Sequence, residues 1–172
     1  MEILDLAQGQ WHMRAFGEEA WTPVSVPGEV HTALLNAGRI PDPFKSDNEL
    51  LVKWVAETDW EFEGLIDVSE SFCAQEKIWL VFDGLDTLAQ VRLSAIILGE
   101  TDNAFRTYAW DMVVKLNPGK NHVCMRFKLP VKDVKDLYNQ YHLISLGKSI
   151  NWAALCLKQQ KFGRCVFLGG LA

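Results

Sequence analysis

The side chains able to do chemistry are scattered along the chain. His12, His31, His122 and His142 stand far apart, none in an H-E-x-x-H or comparable ligand spacing, so surface or capping roles are expected for each. Asp83, Asp86, Asp102 and Asp111 fall near the ends of strand-like segments, where a carboxylate can meet a sugar hydroxyl. Ordinary turn chemistry accounts for Asp83-Gly84 equally well and is the favoured reading. Cys73, Cys124, Cys156 and Cys165 form no C-x-x-C pair, and none has a histidine at metal-site spacing. They could form two disulfides, but a chain of 172 residues needs no such staple, and free, partly buried thiols in a reducing compartment are expected. No G-x-S-x-G, P-loop or Rossmann fingerprint occurs, and Gly169-Gly170 has no following helix to hold a phosphate. Exposed tryptophans can stack on pyranose faces. Trp60 and Trp79 lie in strand patterns and Trp54 on an apolar helical face, so burial is expected for these three. Trp11, Trp21, Trp110 and Trp152 are less constrained. No catalytic residue, metal ligand or cofactor-binding residue is assigned, and substrate contacts stay open.

The bulk composition fits that reading. A chain of this length buries roughly 70% of its unfolded surface as one domain, residues 1–172. Net charge is −5, from 22 acidic and 17 basic side chains, with no basic run, so nucleic acid and anionic membrane are not expected partners. The N-terminal stretch MEILDLAQGQWHMRAF lacks a positive n-region, a long apolar h-region and an A-x-A site. With no signal peptide and no membrane span read, a cytoplasmic location is expected.

The elements that would position these residues are mostly strands. Residues 2–14 read as one loosely patterned strand, and 22–26 as extended, because Pro23 and Pro27 disfavour helix before them. Pro27-Gly28 makes a corner. Val30, Ala33, Leu34 and Ala37 share one face of a helix over 29–37, which Gly38 stops. Residues 40–44 are irregular, and 48–55 suggest a second short helix burying Leu50, Leu51 and Trp54. Trp60 to Val68 alternates apolar with acidic. Residues 78–82 are apolar on both faces, which predicts a central strand ended by Asp83-Gly84. Strands follow at 90–93, 94–98 and 105–111, then a turn over 117–121 and the clearest alternation, 123–129. Pro130 opens a helix with Val131, Val134, Leu137, Tyr138 and Tyr141 at helical spacing; 150–157 and 162–168 are weaker strands. Short strands separated by turns predict an all-β sandwich with short helical insertions.

Several uncommon strings recur together: VPGEVHTALLNAGRIPDPF, DNELLVKWVAETDWEFE, VFDGLDTLAQVRL, LGETDNAFRTYAWD and NPGKNHV. In this order they resemble the N-terminal region of β-mannosidases, in family 2 of the glycoside hydrolases. The resemblance spans residues 11–150 and implies a jelly-roll, galactose-binding-like sandwich packed against a (β/α)₈ catalytic barrel. It also implies retaining hydrolysis of terminal β-D-mannose by two glutamates on the barrel. A barrel needs about 200 residues or more, so this chain lacks both the barrel and its glutamates.

Two departures limit what carries over. The family's G-W-D-W-G motif falls at Phe162-Gly163-Arg164-Cys165-Val166-Phe167, where Phe-Gly is kept and Trp-Asp-Trp is absent; no sugar contact is assigned there. The family's Asn-Gly hairpin turn is Ser94-Ala95 here, which suits φ > 0 poorly. Past Lys148 the resemblance fades. The reading is an accessory domain, inactive alone, whose partner is a catalytic barrel of the same or a longer chain. Two other readings are a stand-alone carbohydrate-binding module for mannosides, and an interaction domain that self-associates through an apolar face.

Overall fold

Alternating side chains at Trp60–Val68 and Val123–Phe127 put their apolar members on one side of a sheet, and the rest of the molecule closes over that side. The computed structural model describes residues 2–128 and 161–170, the latter as backbone with the side chain of Cys165. Two antiparallel sheets face each other. One has the order β3-β2-β5-β10-β7-β8, with β2 Gln10–Ala15, β3 Thr22–Val24, β5 Trp60–Val68, β7 Ala89–Leu93, β8 Ile96–Thr101 and β10 Gly119–Phe127. The other has the order β1-β11-β6-β9, with β1 Glu2–Asp5, β6 Lys77–Leu85, β9 Thr107–Asp111 and β11 Lys161–Gly170; β4 Gly28–Glu29 also pairs with β11. Among the described residues three short α-helices lie between strands: α1 Val30–Asn36, α2 Asn48–Leu51 and α3 Glu70–Cys73. No described helix is long and apolar enough to cross a membrane.

The core lies between the sheets. Trp60, Phe62, Phe82, Phe127, Met13 and Leu80 are fully buried there, each worth about 1.5–3 kcal/mol against exposure. Phe62 and Phe127 meet edge to face at 5.5 Å. Trp11 lies against Gly64 in the neighbouring strand, where an added Cβ would come within 2.5 Å of the indole; only glycine lets that ring approach.

The β-sandwich with helical insertions expected from the sequence is what forms. Several local expectations change. Residues 2–14 are two strands in opposite sheets, not one. Asp5 caps a 3₁₀ turn at Leu6–Gln8 by accepting from Ala7 N at 3.0 Å, and this turn carries the chain across. Asp83-Gly84 does not end β6; Gly84, at φ 96°, lets the strand run on to Leu85. The weakly patterned 162–168 segment lies in β11, paired on both sides by β1 and β6. Helix α1 does end as read: Arg39 N reaches Leu34 O at 2.9 Å around Gly38, at φ 66°. The helix read from Pro130 and the strand at 150–157 lie outside the described residues.

The second helix differs most. Regular helix ends at Leu51 and a 3₁₀ segment, Lys53–Glu57, takes over. Val52, Val55 and Ala56 therefore reach the core, while Leu50 is 67% exposed, Leu51 65% and Trp54 38%. In β6 the fully buried residues are Ile78, Leu80, Phe82 and Leu85; Trp79 looks out, 41% exposed, on the outer side of its sheet. The expected burial of Trp54 and Trp79 is corrected accordingly.

Candidate functional site

The aspartates near strand ends are each engaged locally. Asp83 accepts from Thr107 Oγ1 at 3.1 Å across β6 and β9, and Asp86 accepts from the neighbouring Thr87 hydroxyl. Asp102 accepts from the Tyr108 hydroxyl at 2.8 Å, while that oxygen takes the backbone N–H groups of Asp102 and Asn103. Asp111 accepts from Val113 N at 3.1 Å. The bonds of Asp83, Asp86 and Asp102 shape loops at one end of the sandwich, and that of Asp111 the turn at the opposite end of β9. Among the described residues no three His, Cys, Asp or Glu side chains gather as a metal site.

The outer face of the β2-β5-β10-β7 sheet carries a charged lattice. Glu61, only 7% exposed, bonds Arg14 at 2.8 Å and lies 3.5 Å from Arg92. Arg126 bonds Asp59 at 2.8 Å and lies 3.3 Å over the ring of Phe16. His122 Nδ1 meets Glu63 at 2.5 Å across β10 and β5, and His12 stands opposite Glu63 in β2. Cys124 sits within this lattice; burial, then the charge of Glu63, pushes its thiol up to about 11, which keeps it protonated and unreactive. The alternating positions that place these charges on one face were readable; the pairing of Glu61 with two arginines from different strands was not.

Of the tryptophans, Trp60 is buried with its indole N–H donating to Val55 O at 2.9 Å, and Trp11 likewise to Leu6 O at 2.7 Å. Trp21 lies under the guanidinium of Arg14, and Trp110 stacks on Tyr108. Trp152 and His142 lie outside the described residues. Cys73, Cys124 and Cys165 are free thiols. Cys165, where the resemblance sets an aspartate, is 3% exposed between the sheets, and burial raises its thiol well above the ordinary range.

One recess lies on the segment between β3 and β5. Helix α1 and the Pro43-Phe44 loop enclose a recess of about 250 Å³ lined by Glu29, His31, Thr32, Leu35, Pro43, Phe44 and Glu49. The loop is set by Asp42, which accepts from Phe44 N at 3.0 Å, while Asn48 Nδ2 donates to its carbonyl. His31 Nδ1 is buried without a hydrogen-bond partner. Burial lowers its pKa against the opposing charge of Glu29, so the ring is neutral near pH 7. The two prolines and Phe44 were visible in the sequence, but neither the recess nor the orphaned imidazole nitrogen was.

A two-sheet antiparallel sandwich with this strand order and these helical insertions is a galactose-binding-like jelly roll. The chain belongs to the glycosyl hydrolase 2 galactose-binding domain-like family, whose model matches residues 11–164. It is 34% identical to the β-mannosidase of Bos taurus over 72% of this chain and 14% of that protein. It is 39% identical to β-mannosidase B of Aspergillus niger over 61% of this chain and 12% of that protein. The crystal structure of the β-D-mannosidase from Dictyoglomus thermophilum superposes with a TM-score of 0.90 at 29% identity, covering 99% of this chain and 23% of that one. The chain thus spans about a seventh of the length of the curated relatives and corresponds to an accessory part of such multidomain hydrolases.

Proposed function

We propose that the chain serves as the accessory sandwich of a retaining β-mannosidase-type glycoside hydrolase and is inactive alone. The observation that carries this reading is the superposition on 23% of a β-D-mannosidase, with a domain-family match along most of the chain. In the complete enzyme, two barrel glutamates would cleave terminal β-D-mannose, and this sandwich would support the barrel and wall one side of the sugar pocket. Asp83, Asp102 and Glu61 are engaged in loops and cross-strand pairs, which favours a supporting role. The purified chain is expected to show no turnover of an aryl β-mannoside above background; clear turnover would overturn the reading.

A second reading, a mannoside-binding module, draws on the exposed rings of Trp54 and Trp79. It requires a saturable change in tryptophan fluorescence with mannosides, and a flat titration would remove it. The three free thiols favour a reducing, cytoplasmic setting.

A further inference from the structure

We infer that the cleft between β3 and α1 is a binding site for a neutral sugar, separate from the exposed tryptophans. The inference goes beyond the accessory reading and does not depend on it. The cleft has a volume of about 490 Å³, inside the range of roughly 300–1,000 Å³ usual for small-ligand sites. Its shape follows from the chain. Val26 is buried and anchors the strap after β3, while buried Val30 and Leu34 anchor α1. With those two helix positions turned inward, positions 29, 32, 33, 36 and 37 make one helical stripe along the cleft. Ala33 and Ala37 are small and leave the room. Gly28 lets the corner close, because a Cβ there would collide with the carbonyl of Ser25. Pro23 and Pro27 add aliphatic walls whose backbone is fixed.

The polar groups on these walls select the occupant. Thr32 donates to the carboxylate of Glu29 at 2.5 Å, which holds both side chains in place. Asn36 lies one turn further along the same stripe, and Ser25 adds a hydroxyl from the strap. Hydroxyl and amide groups donate and accept, and a carboxylate accepts, which matches the mixed demand of sugar hydroxyls. The proline rings and alanine methyls suit the C–H faces of such a ligand. No aromatic side chain lines the cleft, so a nucleobase or other flat ring finds no stacking partner. Glu29 is the one charged side chain in the lining, and Arg39, two residues past Ala37, is bonded to Thr22 and Glu18; an anion therefore meets repulsion. Lys161 stands opposite Glu29 in the β4–β11 register, which makes charged sugars the necessary counter-case. With wet hydrogen bonds and no stacking ring, millimolar affinity is expected.

The test titrates the 172-residue chain with D-mannose, D-glucose and D-galactose, and with D-glucuronate and D-glucosamine, by calorimetry and ligand-observed NMR. Asn36→Leu/Ala37→Phe removes the amide and fills the cleft from two exposed positions, and Trp54→Ala/Trp79→Ala removes the exposed rings. Saturable binding of at least one neutral hexose is expected. It should weaken roughly tenfold or more in the cleft variant, with melting temperature kept, and stay unchanged in the tryptophan variant. Ser25→Ala probes the strap without touching α1 and is expected to weaken binding as well. No saturable binding of any neutral hexose would overturn the inference. Undiminished binding in both cleft variants would do the same, as would binding confined to glucuronate or glucosamine. Binding lost only in the tryptophan variant would overturn it in favour of the second functional reading. The accessory reading stands or falls separately, on the turnover assay.

Discussion

Glu61 shows how a single residue can be costly on a sheet surface. Its carboxylate is nearly buried and holds two arginines, each with roughly a third of its side chain in water. Glu61→Ala leaves both guanidiniums without that partner and is expected to cost about 2 kcal/mol, less than a fully buried pair would because of the solvent around the arginines. The midpoint of denaturant unfolding measures it. His31 acts through pH. Its folded pKa lies below the ordinary 6.5, so as pH falls the unfolded chain takes up the proton first. The stability associated with neutral His31 is complete above about pH 6.5 and is lost as pH drops from there through the lowered folded value. Wild type is expected to lose more melting temperature between pH 7.5 and pH 5 than His31→Gln; equal losses would show that the imidazole is not buried as described.

At the level of elements, the β7–β8 hairpin closes despite its unfavourable turn. Ser94 takes the left-handed conformation, at φ 51°, and its N–H donates to His122 O at 2.6 Å. A side chain in that region is strained, so Ser94→Gly is expected to stabilise the protein by about 0.5–1 kcal/mol, read by calorimetry. A loss of stability would mean that Ser94 itself contributes more than its conformation costs. The misfit of Ser-Ala with a tight hairpin was legible because turn geometry is local. The exposure of Leu50 and Leu51 was not. Periodicity over eight residues marks an apolar stripe, but the switch from α2 to a 3₁₀ turn shifts which residues meet the core. That switch depends on Trp60, whose indole N–H takes the Val55 carbonyl, and on the sheet behind it.

For the molecule as a whole, the free cysteines imply that cross-links do not hold the described fold together. Reductant is therefore expected to leave the melting temperature unchanged; a marked drop in dithiothreitol would show that one of these thiols is cross-linked. Stability comes instead from the apolar cluster between the sheets, which recruits α1 through Val30, Ala33 and Leu34.

The sequence by itself determined the sandwich, the position of most strands and the family, because alternation, prolines and turn residues act over a few neighbours and recur as recognisable strings. Only the tertiary structure decided that β1 and β2 part into different sheets, that Cys165 is enclosed while Trp79 and Trp54 face outward, and that His31 backs an open recess. Alternation shows that a strand has two faces. Whether the second face is covered depends on what the rest of the chain brings to it, and those neighbours lie far away in sequence.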